Sequence, residues 1–174
     1  LIIGSTGQIG TELTMALRKH SPNGNVVAGY IPSQPPTEML KETGPCEIVD
    51  ITNAQQIADV VKKYQVDTIY NLAALLSAVA EAKPQLAWQI GMGGLFNVLE
   101  VARETGAAVF TPSSIAAFGP GTVKDMVPQD TVQRPQTMYG VTKVSGELLS
   151  DYYHKRFGVD TRSVRFPGLI SNVT

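Results

Sequence analysis

Three glycines spaced three apart, Gly4, Gly7 and Gly10, stand between the apolar run Leu1-Ile2-Ile3 and a stretch with apolar residues at Ile9, Leu13, Ala16 and Leu17. The second stretch has the period of a helix packed on one face. A strand that turns into a helix through glycines can bring its backbone close to a bound group, because no Cβ stands in the way. Its helix also aims the free N–H groups of its first turn at one point, which favours an anion such as a pyrophosphate. Gly4, Thr6, Gly7, Gln8, Ile9 and Gly10 are therefore the expected phosphate-binding residues, and the expected ligand is a dinucleotide. The spacing is G-x-x-G-x-x-G, longer in its first turn than the commoner G-x-G-x-x-G.

The rest of the chain repeats the alternation. Residues 26–31 read as a second strand, 47–49 as a short third, 66–73 as a fourth, 107–111 as a fifth and 161–166 as the last. Ser21-Pro22-Asn23-Gly24 breaks the first helix, and the breaker-rich loop 32–45 holds a short helix near 38–41. Thr52 or Asn53 caps a helix with the stripe Ile57, Val60, Val61 and Tyr64. A long helix is expected over 85–105, ended by Gly106, and another over 139–157, ended by Gly158. Between them, residues 115–138 form a long loop containing Pro120, Pro128 and Pro135. Strands and helices alternating with short connections imply an α/β fold: a Rossmann-type, doubly wound parallel sheet. Residues 1–174 are expected to form one dinucleotide-binding domain. No Met precedes Leu1, and the chain stops just after the last strand, so it reads as a segment of a longer protein.

Composition narrows the partners. Apolar residues make up 43% of the 174 and charged residues 17%, the balance of a folded protein. A net charge of -1 gives no electrostatic footprint for nucleic acid or an anionic membrane, and no apolar stretch has the length of a bilayer span. Cys46 is alone, which excludes an internal disulfide, fits a reducing compartment and makes a metal cluster unexpected. The expected location is cytoplasmic, or mitochondrial for a eukaryotic parent. His20 and His154 read as helix-boundary or surface residues, and Trp88 as packing.

Tyr139 and Lys143 lie at i and i+4, on one face of the expected helix. A neighbouring ammonium favours phenolate, and a phenol so placed is a general base for a hydroxyl proton. Ser113 and Ser114 sit at a strand's carboxyl end, where parallel sheets bind ligands. At the second strand's end, where an acid ordinarily binds the adenosine ribose, the chain has Gly29-Tyr30-Ile31. No Arg stands there to receive a 2′-phosphate, so NAD is the expected cofactor. Asp50, followed by Ile51, is placed equally well to meet the adenine or to start the next helix.

The glycine turn, Ser113-Ser114, Phe118-Gly119 and Tyr139 to Lys143 together resemble the extended short-chain dehydrogenases, the group that contains UDP-galactose epimerase. Leu72-Ala73-Ala74-Leu75-Leu76-Ser77, the run from Pro112 to Pro120, the run from Arg134 to Lys143 and Arg165-Phe166-Pro167-Gly168-Leu169-Ile170-Ser171 are similar to the threonine-oxidising members of that family. The resemblance implies oxidation of the L-threonine 3-hydroxyl to 2-amino-3-ketobutyrate, with NAD taking the hydride. It implies that Ser114 binds the reacting oxygen, Tyr139 takes its proton, and Lys143 serves the phenol and the nicotinamide ribose. Ser77 would belong to the substrate pocket; Asp50, Ile51, Leu72, Ala73, Ala74, Phe166 and Pro167 would lie against the cofactor. It also implies that a C-terminal substrate domain is the missing part of the longer protein. It implies a homodimer through helices 85–105 and 139–157, whose Leu86, Ile90, Leu148 and Tyr152 one sheet face leaves uncovered. Two positions depart from the family: Tyr30 replaces the ribose acid, and Ile90-Gly91-Met92-Gly93-Gly94 lacks an Asn. A nucleotide-sugar epimerase or dehydratase and a non-catalytic dinucleotide-binding protein are the alternative readings.

Overall fold

Strand β1 (Ile2–Ile3) is the hinge of the architecture, pairing in parallel with β2 (Ala28–Tyr30) on one side and β4 (Thr68–Asn71) on the other. Beyond β2 lies β3 (Cys46–Ile48); beyond β4 lie β5 (Ala108–Phe110) and then β7 (Thr161–Arg162). The sheet order is thus β3-β2-β1-β4-β5-β7, all parallel, with its order reversing between β1 and β4. That reversal opens a crevice at the strands' carboxyl ends. The computed structural model describes residues 1–21 and 25–169; Pro22, Asn23 and Gly24 of the first helix break, and Ile170 and Ser171 of the last motif, lie outside the described residues.

The strands are apolar because both faces are covered. Ile2 is fully buried, and Ile3, Val27, Ile69 and Val109 are buried in one cluster with Ile57, Val60 and Val61 of α3 (Ala54–Tyr64) and Leu95, Val98 and Leu99 of α6 (Gly94–Thr105). Local chemistry fixes the ends of the helices. Asn53 accepts from the N–H groups of Gln55 and Gln56 to cap α3, and Thr137 accepts from that of Gly140 to cap α7 (Met138–Phe157). Gly106 and Gly158 close α6 and α7 with φ of 78° and 73°, a region costly for any residue with a Cβ.

The strand–helix order agrees with the sequence expectation, and the differences are local. The expected helix over 85–105 is three pieces: α5 (Pro84–Trp88), a π-helical turn (Gln89–Gly93), then α6. Glycine is a poor helix former, and Gly91, Gly93 and Gly94 fall where the winding loosens. A Cβ on Gly94 would come 2.8 Å from the Ile51 side chain, so glycine also permits the close approach there. An additional helix, α4 (Ser77–Ala82), follows the loop after β4. The last strand divides into β7 and β8 (Arg165–Phe166), the latter paired with β6 (Ser113–Ser114). The ladder nonetheless runs on, Thr111 donating to the Arg162 carbonyl and Ser113 to that of Val164. Among the described residues, no helix is long and apolar enough to cross a membrane.

Candidate functional site

The glycine turn sits at the crevice. Gly4 has φ +83°, and a Cβ there would lie 3.0 Å from the Ala73 backbone nitrogen. A Cβ on Gly10 would lie 2.1 Å from the Gly4 carbonyl oxygen, so the turn closes only on glycine. Gly7 is different: its Cβ would meet only the Gly4 oxygen, at 3.5 Å, and its surface faces outward. It is the N-cap of α1 (Gln8–His20), with no side chain capping the helix and no acid in the first turn. First-turn N–H groups with no side-chain cap, behind a bare glycine, make a cradle suited to a diphosphate. Ser5 holds the turn to β2 by donating its hydroxyl to the Gly29 carbonyl at 2.9 Å.

A cleft of about 570 Å³ runs from this turn across the sheet edge. Its walls are Gly4, Thr6 and Gly7; Tyr30 to Gln34 after β2; Val49 to Thr52 after β3; Leu72 to Leu75 after β4; and Leu86, Gln89 and Ile90. A volume in this range suits a cofactor. Asp50 lines it while its Oδ1 accepts from the Thr52 N–H and hydroxyl at 2.9 and 2.7 Å, so its turn-forming role and its position at the cleft coexist.

Leu72, Ala73, Ala74 and Leu75 also line an inner pocket, and these residues join the two spaces. There Tyr139 and Lys143 face each other across one turn of α7, with the Lys143 ammonium 5.3 Å from the centre of the Tyr139 ring. It donates to the Pro112 carbonyl at 2.8 Å. Burial penalises the charged amine and pushes its pKa down from 10.5 to about 8. A phenol and an amine of lowered proton affinity therefore share an inner pocket that adjoins the cleft.

The two serines separate. Ser113 lines the inner pocket, and its hydroxyl donates to the Glu147 carboxylate. Ser114, the next residue on a strand, takes the other face; its oxygen accepts from the Ala116 N–H at 3.1 Å, and it does not border the inner pocket. Phe166 pairs with Ser114 across β6 and β8 and is half-buried. Ser77, at the start of α4, and Pro167 are exposed and outside both pockets. Gln8 and Ile9 begin α1, just past the cradle.

Glu147, one further turn along α7 from Lys143, gave no signal in the sequence. Its carboxylate receives Arg165 through two bonds of 2.9 and 2.8 Å, Gln133 at 3.0 Å, and Ser113. Burial opposes its ionisation, but these donors outweigh burial and hold the carboxyl below the usual range. One acid thereby ties α7, β6, β8 and the 115–138 loop together. Asn71 Oδ1 and Thr111 Oγ1, on residues lining the inner pocket, are buried without a partner among the described residues, so a polar group entering there gains a hydrogen bond.

Residues 1–173 match the NAD-dependent epimerase/dehydratase family. An uncharacterized epimerase/dehydratase of Staphylococcus saprophyticus is 54% identical over 173 residues, covering 99% of this chain and 54% of the relative. The chain thus spans about half the length of the curated relatives it matches. The structure of L-threonine dehydrogenase from Clostridium difficile superposes with a TM-score of 0.92 at 57% identity, over 99% of this chain and 54% of that one. The L-threonine dehydrogenase from Cupriavidus necator, in its holo form, gives 0.93 at 44%, over 99% and 55%. UDP-glucose 4-epimerase from Brucella ovis, solved with NAD, shares the fold with a TM-score of 0.84 at 20% identity, over 94% and 50%. By sequence pattern and by structure, this chain belongs to the NAD-dependent epimerase/dehydratase family.

Proposed function

We propose that this chain is the cofactor-binding domain, with the proton-transfer site, of an NAD-dependent L-threonine 3-dehydrogenase that is cytoplasmic, or mitochondrial in a eukaryote. The observation that carries the reading is the pairing of Tyr139 with a half-buried Lys143 in the inner pocket that adjoins a cleft beginning on a glycine cradle. The 57% identity to an L-threonine dehydrogenase supports the choice of substrate.

The cradle fits a pyrophosphate: Gly4, Thr6, Gly7, Gln8, Ile9 and Gly10 would hold it, Asp50 and Ile51 would face the adenine, and Leu72, Ala73 and Ala74, with Phe166 and Pro167 outside the two pockets, would flank the remainder. The nicotinamide, when bound, supplies the acceptor for the hydride from threonine C3. Ser114 would donate to the substrate's 3-oxygen from beside the inner pocket, which it does not line here; its oxygen accepts from Ala116, whereas Ser113, which does line the pocket, has its hydroxyl committed to Glu147. Tyr139 takes the proton from that oxygen as the carbonyl forms, and Lys143 stabilises the phenolate and holds the nicotinamide ribose. Ser77 contributes to the substrate side.

Two copies associate through α5, α6 and α7. Of the residues expected to be uncovered, Leu86, Leu148 and Tyr152 are exposed, while Ile90 packs against the core. Trp88, expected as packing, is exposed too, and with Phe96 these side chains form a surface suited to a symmetric partner. Sedimentation of the full-length protein at micromolar concentration should show a dimer; monomer alone would count against this assembly.

The deciding experiment supplies the full-length protein with NAD and either L-threonine or a UDP-sugar. Reduced cofactor accumulating with threonine alone supports the proposal. Epimerisation or dehydration of the nucleotide sugar with no threonine oxidation would replace it.

A further inference from the structure

The wall of the cleft that follows β2 carries no group able to tell a ribose hydroxyl from a ribose phosphate by charge. In folds of this kind that wall meets the adenosine ribose, and an acid there reads the 2′-hydroxyl while a cation there reads a 2′-phosphate. This chain has Tyr30, Ser33 and Gln34. Among the described residues the single charged one lining the cleft is Asp50, and it follows the neighbouring strand, two residues past Ile48, the register partner of Tyr30.

The segment is nevertheless built. Gln34 donates to the Ile31 carbonyl at 2.9 Å, closing a turn directly after β2. Leu40, in α2 (Glu38–Thr43), is fully buried behind it. Arg18 donates to the carbonyls of Leu40 at 2.5 Å and Pro45 at 2.6 Å, fastening α2 and the residue after its C-cap to α1. The two cations that touch this segment are thus engaged away from the cleft: Arg18 in these bonds, Lys41 with Glu38 at 2.6 Å. Pro32, Ser33 and Gln34 are exposed, so a phosphate beside them keeps much of its hydration.

We propose that this chain reads the adenosine ribose with neutral groups, Tyr30, Ser33 and Gln34, and therefore binds NAD and NADP with comparable affinity. The proposal rests on the dinucleotide reading of the cleft and goes beyond it, since the family description names NAD alone. A fixed carboxylate at Tyr30 would repel the roughly two negative charges of a 2′-phosphate, and its absence removes that discrimination. No nearby guanidinium replaces it with the opposite preference.

Calorimetric titration of the full-length protein with NAD, NADP, ADP-ribose and 2′-phospho-ADP-ribose tests this without substrate or turnover. Within each pair the dissociation constants should agree to about tenfold, and Tyr30→Asp should shift the ratio towards the unphosphorylated ligand by at least about tenfold. Should Tyr30→Asp fail to fold by circular dichroism, Ser33→Arg in the exposed turn should shift the ratio at least about tenfold towards the phosphorylated ligand. A wild-type preference above about tenfold in either direction, or a folded variant that leaves the ratio unchanged, overturns the proposal. Failure of all four ligands to bind overturns the dinucleotide reading itself, which distinguishes the two failures.

Discussion

Replacing Lys143 with Met should stabilise the ligand-free protein near neutral pH and forfeit that advantage at high pH. The amine is buried, and its proton affinity falls from the ordinary 10.5 to about 8. Between those values the unfolded chain holds a proton that the folded chain has released, so raising the pH favours the fold. Below about 8 both states are protonated, and the fold bears the full cost of a desolvated ammonium. At about 1.4 kcal/mol per tenfold change in proton affinity, that cost is about 3 kcal/mol. Methionine keeps the aliphatic stem and removes the charge, at the loss of the 2.8 Å bond to Pro112. From a charged donor that bond is worth about 1.5 to 3 kcal/mol, leaving a net gain of about 0 to 1.5 kcal/mol at pH 7. Urea denaturation of the full-length protein and of Lys143→Met, across the range from neutral to strongly alkaline, measures the difference directly. Wild type should gain on the variant as pH rises and overtake it near the alkaline end. Parallel pH profiles, or a variant much weaker than wild type at neutral pH, would refute the burial argument.

The glycine cradle and the Glu147 cluster give further tests. Gly10→Ala places a Cβ 2.1 Å from one backbone oxygen and 2.7 Å from the Ser5 Cα, neither of which can swing aside. It should cost about 1 to 3 kcal/mol of stability and abolish NAD binding, read by thermal melting and calorimetric titration. Glu147→Gln removes the charge that receives Arg165 and should cost about 2 kcal/mol by urea denaturation near neutral pH. Because the Glu147 carboxyl is held below its ordinary range, its contribution is present above the ordinary carboxylate pKa and disappears as acid protonates it. The wild-type and Glu147→Gln stability curves should therefore converge on acidification.

What was legible in the sequence was what is local. The glycine turn, the Asn53 cap, the stripe of α3, and Gly106 and Gly158 after their helices each announce themselves within one or two turns of chain. So did Tyr139 and Lys143, whose spacing alone puts them on one helix face. The Glu147 cluster was invisible because its partners stand 14, 18 and 34 residues away, joined only when β6 and β8 pair. The π-helical turn escaped because an apolar period persists through it while glycines loosen the winding. Helix α4 was missed because it is only six residues, too short for a periodic signal, and has no side-chain cap. Choosing between Ser113 and Ser114 depended on which face of β6 each takes, a matter of register that adjacent identical residues cannot reveal.

In the proposed reaction Tyr139 takes the proton from the threonine hydroxyl in the pocket beside the dinucleotide cleft. The direct measurement compares wild-type and Tyr139→Phe full-length protein with L-threonine and NAD, following absorbance of the reduced cofactor across pH, with NAD affinity determined in parallel by calorimetry. Phe keeps the ring in place beside Lys143 and removes only the proton acceptor. Turnover should fall by about 10² to 10⁴ while the NAD dissociation constant stays within about twofold. Near-normal threonine oxidation by Tyr139→Phe over the whole pH range would contradict the account.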